Sequence, residues 1–188
     1  MVGVLSKGSL LVASPTLADP NFFRSVVFIL AHDDDEGTLG VVLNRPSPIP
    51  VDEIVPGWGG LAVSPSVLFI GGPVQPGAAI CIGRTELEEV AATAGFAPLF
   101  GDLGTVDLHE DPIDVPVPLA GVRVFTGYAG WGPGQLANEV DSGSWHVLAA
   151  QDQDVLSGEP EGLWSRVLRR QGGWLAVLAL YPTDLAAN

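Results

Sequence analysis

Ser25-Val26-Val27-Phe28-Ile29-Leu30-Ala31, His32-Asp33-Asp34-Asp35-Glu36-Gly37 and Thr38-Leu39-Gly40-Val41-Val42-Leu43-Asn44 follow one another without interruption, and their reading decides the fold. The first and third runs are apolar and rich in β-branched residues, as buried strands are. The polar run between them is short and ends in glycine. Two such strands joined by such a link predict a β-hairpin. A hairpin makes consecutive strands neighbours, which argues against regular strand–helix–strand units.

The flanking sequence repeats the theme. Ser9–Ala13 predicts a strand stopped by Ser14-Pro15. Asp19-Pro20-Asn21-Phe22-Phe23 predicts a turn, with Asp19 as an N-cap before proline. Pro46–Pro65 is rich in proline and glycine, with a short helix expected over Val51–Val55. Further strands are expected at Val67–Ile70, at Ala78–Ile82 closed by Gly83, at Val106–Leu108, at Val122–Thr126 and at Trp145–Ala149. Glu86–Ala94 has helical composition, and the proline-bearing Asp111–Pro118 reads as a loop. Glu161–Arg170 puts Leu163, Trp164, Val167 and Leu168 on one helical face. Gly172-Gly173 ends that helix. Trp174–Leu180 fits a helix or a strand, and Pro182 closes it. The sum is an α+β fold: a single compact domain over residues 1–188, with a largely antiparallel β-sheet flanked by helices and a C-terminal helical segment.

Composition narrows the function. Hydrophobic residues make up 47% of the 188 and charged ones 16%, enough for a buried core. Twenty-two acidic residues against eight lysines and arginines give a net charge of −14. That charge opposes binding to a phosphate backbone, so no direct nucleic-acid contact is expected. Arg166, Arg169 and Arg170 form a small basic cluster, read here as a solvated helix face. A single cysteine, Cys81, excludes an intrachain disulfide and fits a reducing compartment. No signal-peptide pattern is present, and Trp174–Tyr181 is far shorter than the ~20 residues a membrane helix needs. A cytoplasmic protein without membrane contact is expected.

The stretch Gly127-Tyr128-Ala129-Gly130-Trp131-Gly132-Pro133-Gly134-Gln135-Leu136 reads as a strand-to-helix turn between Val122–Thr126 and a short helix from Gln135. Glycine there permits close backbone approach, and a helix start offers free N–H groups. The standard templates do not match. A dinucleotide fingerprint from Gly130 requires a small residue where Gln135 stands. Neither a Gly-Lys-Ser/Thr phosphate loop nor a Gly-x-Ser-x-Gly elbow occurs. A calcium loop ending its first half at Gly37 would place His32 and Leu43 at ligand positions, so a solvated hairpin turn is the better reading. Cys81 lies in an apolar strand, and His32, His109 and His146 are scattered. No catalytic residue, metal ligand or cofactor is therefore assigned.

Three strand ends carry the remaining signal: Asn44-Arg45-Pro46, Gly71-Gly72-Pro73-Val74 and Trp131–Gln135. Either they converge on a shared cleft or they are three conformationally demanding turns. The candidate ligand- or partner-binding residues are Asn44, Arg45, Gly71, Gly72, Pro73, Tyr128, Gly130, Trp131, Gly134 and Gln135. In a cleft Trp131 would stack, the N–H groups of Gly134 and Gln135 would donate, and Asn44 and Arg45 would supply polar contacts.

Gly8–Pro15, Asp19–Val27, Gly37–Pro46, Gly71–Val74 and Gly127–Leu136, followed by Ser144-Trp145 and Leu163-Trp164, occur in an order that closely resembles the bacterial YqgE/AlgH family. The similarity spans nearly the whole chain. It implies a compact protein with a mainly antiparallel sheet flanked by helices, and no established activity. Members often carry a transcriptional-regulator label, to which the charge of −14 lends no support as direct DNA binding. In the family the segment after the Gly-Gly-Pro-Val motif usually ends in leucine-histidine. Here Ala79-Ile80-Cys81-Ile82-Gly83 stands instead, so no role rests on that histidine.

The expected function is that of a non-enzymatic binding or regulatory protein with an unidentified protein or small-molecule partner. A hydrolase or transferase using Asp33, Asp35 or Glu139 is the alternative, and direct DNA binding is the weakest reading.

Overall fold

The computed structural model describes residues 3–87 and 90–182. Strand β1 (Ser9–Ala13) precedes the hairpin, which forms from β2 (Val26–Asp33) and β3 (Gly37–Val42). Next come β4 (Pro46–Pro50), helix α1 (Val51–Ile54), β5 (Val67–Ile70), β6 (Val74–Thr85), β7 (Phe96–Phe100), β8 (Leu103–Val106) and β9 (Leu119–Trp131). The chain then runs through α2 (Gln135–Asp141), β10 (Trp145–Ala149), α3 (Asp152–Val155), a 3-10 turn, α4 (Leu163–Gln171) and α5 (Gly173–Leu178). The main path through the sheet is β10-β1-β2-β3-β9-β6-β8-β7, antiparallel at every step. The edge pair β4–β5 joins β9 through a parallel pairing of Phe69 with Phe125 and Ile70 with Thr126. The α+β reading with a largely antiparallel sheet therefore holds.

The apolar runs are continuous because both faces of the sheet are covered. Leu10 and Val12 of β1, with Val26, Phe28 and Leu30 of β2, enter the core beneath α4 and α5. The alternate residues Leu11, Ala13, Val27 and Ile29 enter a second core with Trp131, Leu136 and Trp145. A third core gathers Val51, Trp58, Cys81, Val122 and Val124 at the far end of β9. Helix α4 buries Leu163, Trp164, Val167 and Leu168, the stripe its sequence predicts. The Trp164 indole N–H donates to the Ala13 carbonyl at 2.9 Å, tying α4 to β1.

Strand β9 departs from expectation in a way that matters for the site. The stretch Gly127–Trp131 is the strand itself, and only Gly132-Pro133-Gly134 turns. Its flanks explain the extension. Thr38 pairs with Trp131 and Gly40 with Ala129 on one side, while Val74 pairs with Tyr128 on the other. Gly127, at φ 66°, sits where the β6–β9 register shifts between Val74 and Ala79.

Other boundaries also move. Gly83 does not close its strand, because β6 runs from Val74 to Thr85 and a Cβ on Gly83 would meet Val106 at 2.7 Å. The strand expected at Val106–Leu108 lies at Leu103–Val106 and pairs with β6 and β7. The helix expected over Glu86–Ala94 is absent from its described part: Glu86 and Leu87 form a bend, and Val90–Ala92 has no regular structure. Its remaining positions, 88 and 89, lie outside the described residues. A segment that short is marginal as a helix without an apolar face to pack. Trp174–Leu180 resolves as α5.

Candidate functional site

At the end of β9 the signature residues bond to one another. Glu139 of α2 accepts the indole N–H of Trp131 at 3.0 Å and that of Trp145 at 2.8 Å, both on Oε2. Its Oε1 accepts Gln135 Nε2 at 2.9 Å, and Gln135 Oε1 accepts the Gly132 N–H at 3.1 Å. Phe22 stacks on Trp131 at 5.9 Å and meets Trp145 edge-on at 5.4 Å. Trp131 is buried, so its ring faces are occupied by protein. Gly134 takes the left-handed conformation at the α2 N-cap, φ 69°, and the Gln135 N–H donates to the Gly132 carbonyl. Both Glu139 oxygens are thus engaged in holding this corner together.

Gly71 and Gly72 serve close backbone approach. A Cβ on Gly71 would lie 2.4 Å from the Gly127 carbonyl oxygen, and one on Gly72 would lie 2.2 Å from the Tyr128 carbonyl carbon. The Gly71 N–H donates to the Thr126 carbonyl, and its own carbonyl accepts from Val42 N–H, both at 2.8 Å. Pro73 beside them is exposed. Tyr128, Gly130 and Trp131 border a shallow depression of about 440 Å³ together with Val74, Leu39 and Glu36.

Asn44 and Arg45 belong to a different concavity. Asn44 mimics a strand partner: its Oδ1 accepts the Val26 N–H and its Nδ2 donates to the Arg24 carbonyl, each at 2.9 Å. Arg45 donates to the Phe23 carbonyl at 3.0 Å. Arg24 itself has φ 51°, a conformation uncommon for a side-chain-bearing residue. Its guanidinium lies 4.5 Å from the Trp164 ring centroid and donates to the Tyr181 carbonyl. These groups border a groove of about 810 Å³, with Phe23, Pro46 and Ile70 among its apolar walls. The three strand ends therefore occupy separate places: Asn44 and Arg45 on this groove, Tyr128, Gly130 and Trp131 on the depression, and Gly71 and Gly72 inside a strand crossing.

Pro20, Phe23, Arg24 and Trp164 on the groove were not singled out as site residues from the sequence. Their signal was present in the Asp19–Val27 and Leu163-Trp164 motifs, which read as a turn and a core stripe. Elsewhere several polar side chains are satisfied locally, whereas Ser25 Oγ, Arg123 Nε and His146 Nε2 are buried without a hydrogen-bond partner among the described residues. Asp33 Oδ1 accepts the Asp35 and Glu36 N–H groups, which hold its carboxyl below the usual range and close the hairpin. Cys81 is buried, and desolvation pushes its thiol pKa far up, away from nucleophilic use. His32 bonds Thr38, His109 bonds Asp107, and His146 packs edge-on against Trp174. Among the described residues no group of three or more His, Cys, Asp or Glu is arranged to hold a metal ion. No helix among them is long and apolar enough to cross a membrane.

An AlgH-like family model matches residues 10–176. The chain belongs to the AlgH-like family. Within the family, a UPF0301 protein of Thermobifida fusca is 49% identical, over 96% of this chain and 94% of its own length. The crystal structure of protein DIP2367 from Corynebacterium diphtheriae superposes with a TM-score of 0.89 at 32% identity, covering 96% of this chain and 95% of that one. The solution structure of the AlgH protein from Pseudomonas aeruginosa gives 0.68 at 25% identity, over 97% and 98%. The function of this AlgH-like family is uncharacterised. The Gly127–Leu136 run, which lies within the matched residues, is the scaffold of the Trp131–Trp145–Glu139 corner.

Proposed function

We propose that this AlgH-like chain is a cytoplasmic, non-catalytic binding protein, and that its partner-facing surface is the groove bordered by Phe23, Arg24, Asn44, Arg45, Ile70 and Trp164. One observation carries the reading. Residues of three family-like motifs meet at this groove: Asn44 and Arg45 tie two of them together through the Arg24 and Phe23 carbonyls, and the Arg24 guanidinium over the Trp164 ring brings in the third. A wall fixed in advance loses less freedom on binding. Ile70 is 49% exposed despite its size, next to two guanidinium-bearing residues. That combination suits an apolar protein segment carrying a carboxylate.

The test is a pull-down from lysate followed by titration of the captured segment, with Arg45→Ala and Ile70→Ser as variants. Both are expected to weaken binding while far-ultraviolet circular dichroism stays unchanged. Undiminished binding by both variants overturns the assignment of the groove. Direct action on DNA forms no part of this reading. A gel-shift series in salt is expected to show no salt-sensitive complex, given the charge of −14.

A further inference from the structure

The chain has seven arginines and one lysine, and five of those arginines gather at one place, on residues the groove does not use. Arg84 on β6 and Arg166, Arg169 and Arg170 on α4 border a cleft of about 760 Å³ between the sheet and the α3–α4 segment. Arg123 supports its wall from below. Ile82 pairs with Arg123, so Arg84, two residues along β6, rises from the same face of the sheet. Arg123 is 2% exposed and donates to the carbonyls of Val155, Ser157 and Ser64. Among the described residues no carboxylate pairs with it, so a positive charge sits uncompensated behind the cleft.

The lining arginines divide into fixed and free. Arg170 grips the buried Asp154 carboxylate through two bonds of 2.6 and 2.7 Å and also donates to the Ala149 carbonyl. Arg84 lies 3.0 Å from Asp102 and donates to the Asp152 carbonyl. Arg166 reaches Ser157 Oγ at 2.6 Å but meets Glu159 only at 3.6 Å, and that carboxylate is 89% exposed. Arg169 is exposed, and its side chain makes no hydrogen bond or ion pair among the described residues. Four arginines thus face two lining carboxylates, one of them already spent on Arg170. A helix-capping role accounts for Arg170 at the last turn of α4. It does not account for Arg84 and Arg166 arriving at the same cleft from other positions.

We propose that this cleft binds a compact, multiply charged oxyanion of the phosphate class. Guanidinium forks match phosphoryl oxygens, and a singly charged carboxylate would engage only one of them. The volume suits a small molecule. The charge of the whole chain, −14, opposes an extended polyanion, so a small anion reaching a local positive site is the consistent ligand.

Isothermal titration with pyrophosphate, orthophosphate, sulfate and ADP at matched ionic strength tests the proposal, using wild type, Arg166→Gln, Arg169→Glu and Arg45→Ala. Saturable pyrophosphate binding is expected, weakened about tenfold or more by either α4 variant and unchanged by Arg45→Ala. ADP binding more tightly than pyrophosphate would identify a nucleotide as the source of the phosphoryl group. Equal affinity would identify an inorganic or non-nucleotide phosphate. Absence of saturable heat with every anion at millimolar concentration overturns the proposal, as does binding that both α4 variants leave intact. Because Arg45→Ala removes a groove contact alone, failure here and failure of the groove are separable.

Discussion

Glu139 shows how one side chain can hold a corner. Its carboxylate is the common acceptor for two buried indoles, and charge-assisted bonds are the stronger kind. Glu139→Ala is expected to cost roughly 2–4 kcal/mol in urea unfolding. A shift in tryptophan emission should accompany the loss, because Trp131 and Trp145 both lose their partner. His146 acts through pH instead. Burial holds its pKa below the ordinary value of 6.5. Between the folded value and 6.5 the unfolded chain binds more protons, so stability is full above about pH 6.5 and falls as pH drops through that window. His146→Phe keeps a ring against Trp174 and removes the titration. Its stability curve is expected to be flatter than wild type in that window, measured by denaturant melts across pH.

At the scale of elements, β9 is the spine, since β3, β5 and β6 all pair with it. The glycines along its crossings are not equivalent. Gly72→Ala would drive a methyl into the Tyr128 backbone and is expected to cost about 3 kcal/mol or more. Gly132→Ala meets nothing within 4 Å and is expected to be neutral or stabilising by up to ~1 kcal/mol. Thermal melts of the two variants check the contrast. In sequence these glycines look alike, each within a glycine–proline motif. The hairpin, β1, β5, β10 and the α4 stripe were legible because each announces itself locally, by composition or period. The length of β9 was not, since Gly127 and Gly130 read as breakers until β3 and β6 are placed beside them. Glu86–Ala94 erred the other way: its composition is helix-prone, yet residues 86–87 form a bend and residues 90–92 take no regular structure.

Across the whole molecule the charge of −14 is a mutual repulsion that folding concentrates. Added sodium chloride is expected to raise the melting temperature at neutral pH by screening that repulsion. A fall with salt would show that local ion pairs such as Arg170–Asp154 dominate instead. Within this acidic surface the cations are sorted, with Arg24 and Arg45 at one groove and four arginines at a separate cleft. The sequence by itself determined the α+β class, the antiparallel neighbours and the family, because hairpin chemistry, strand period and ordered motifs are local properties. Which motif residues face solvent was decided only by the tertiary structure. Trp131 and Glu139 are eight residues apart yet consume each other's polar groups, while Arg24 and Arg45, at the open end of one hairpin, meet Trp164 from far along the chain. Burial and pairing at that range depend on how the sheet curls, and no local pattern encodes it.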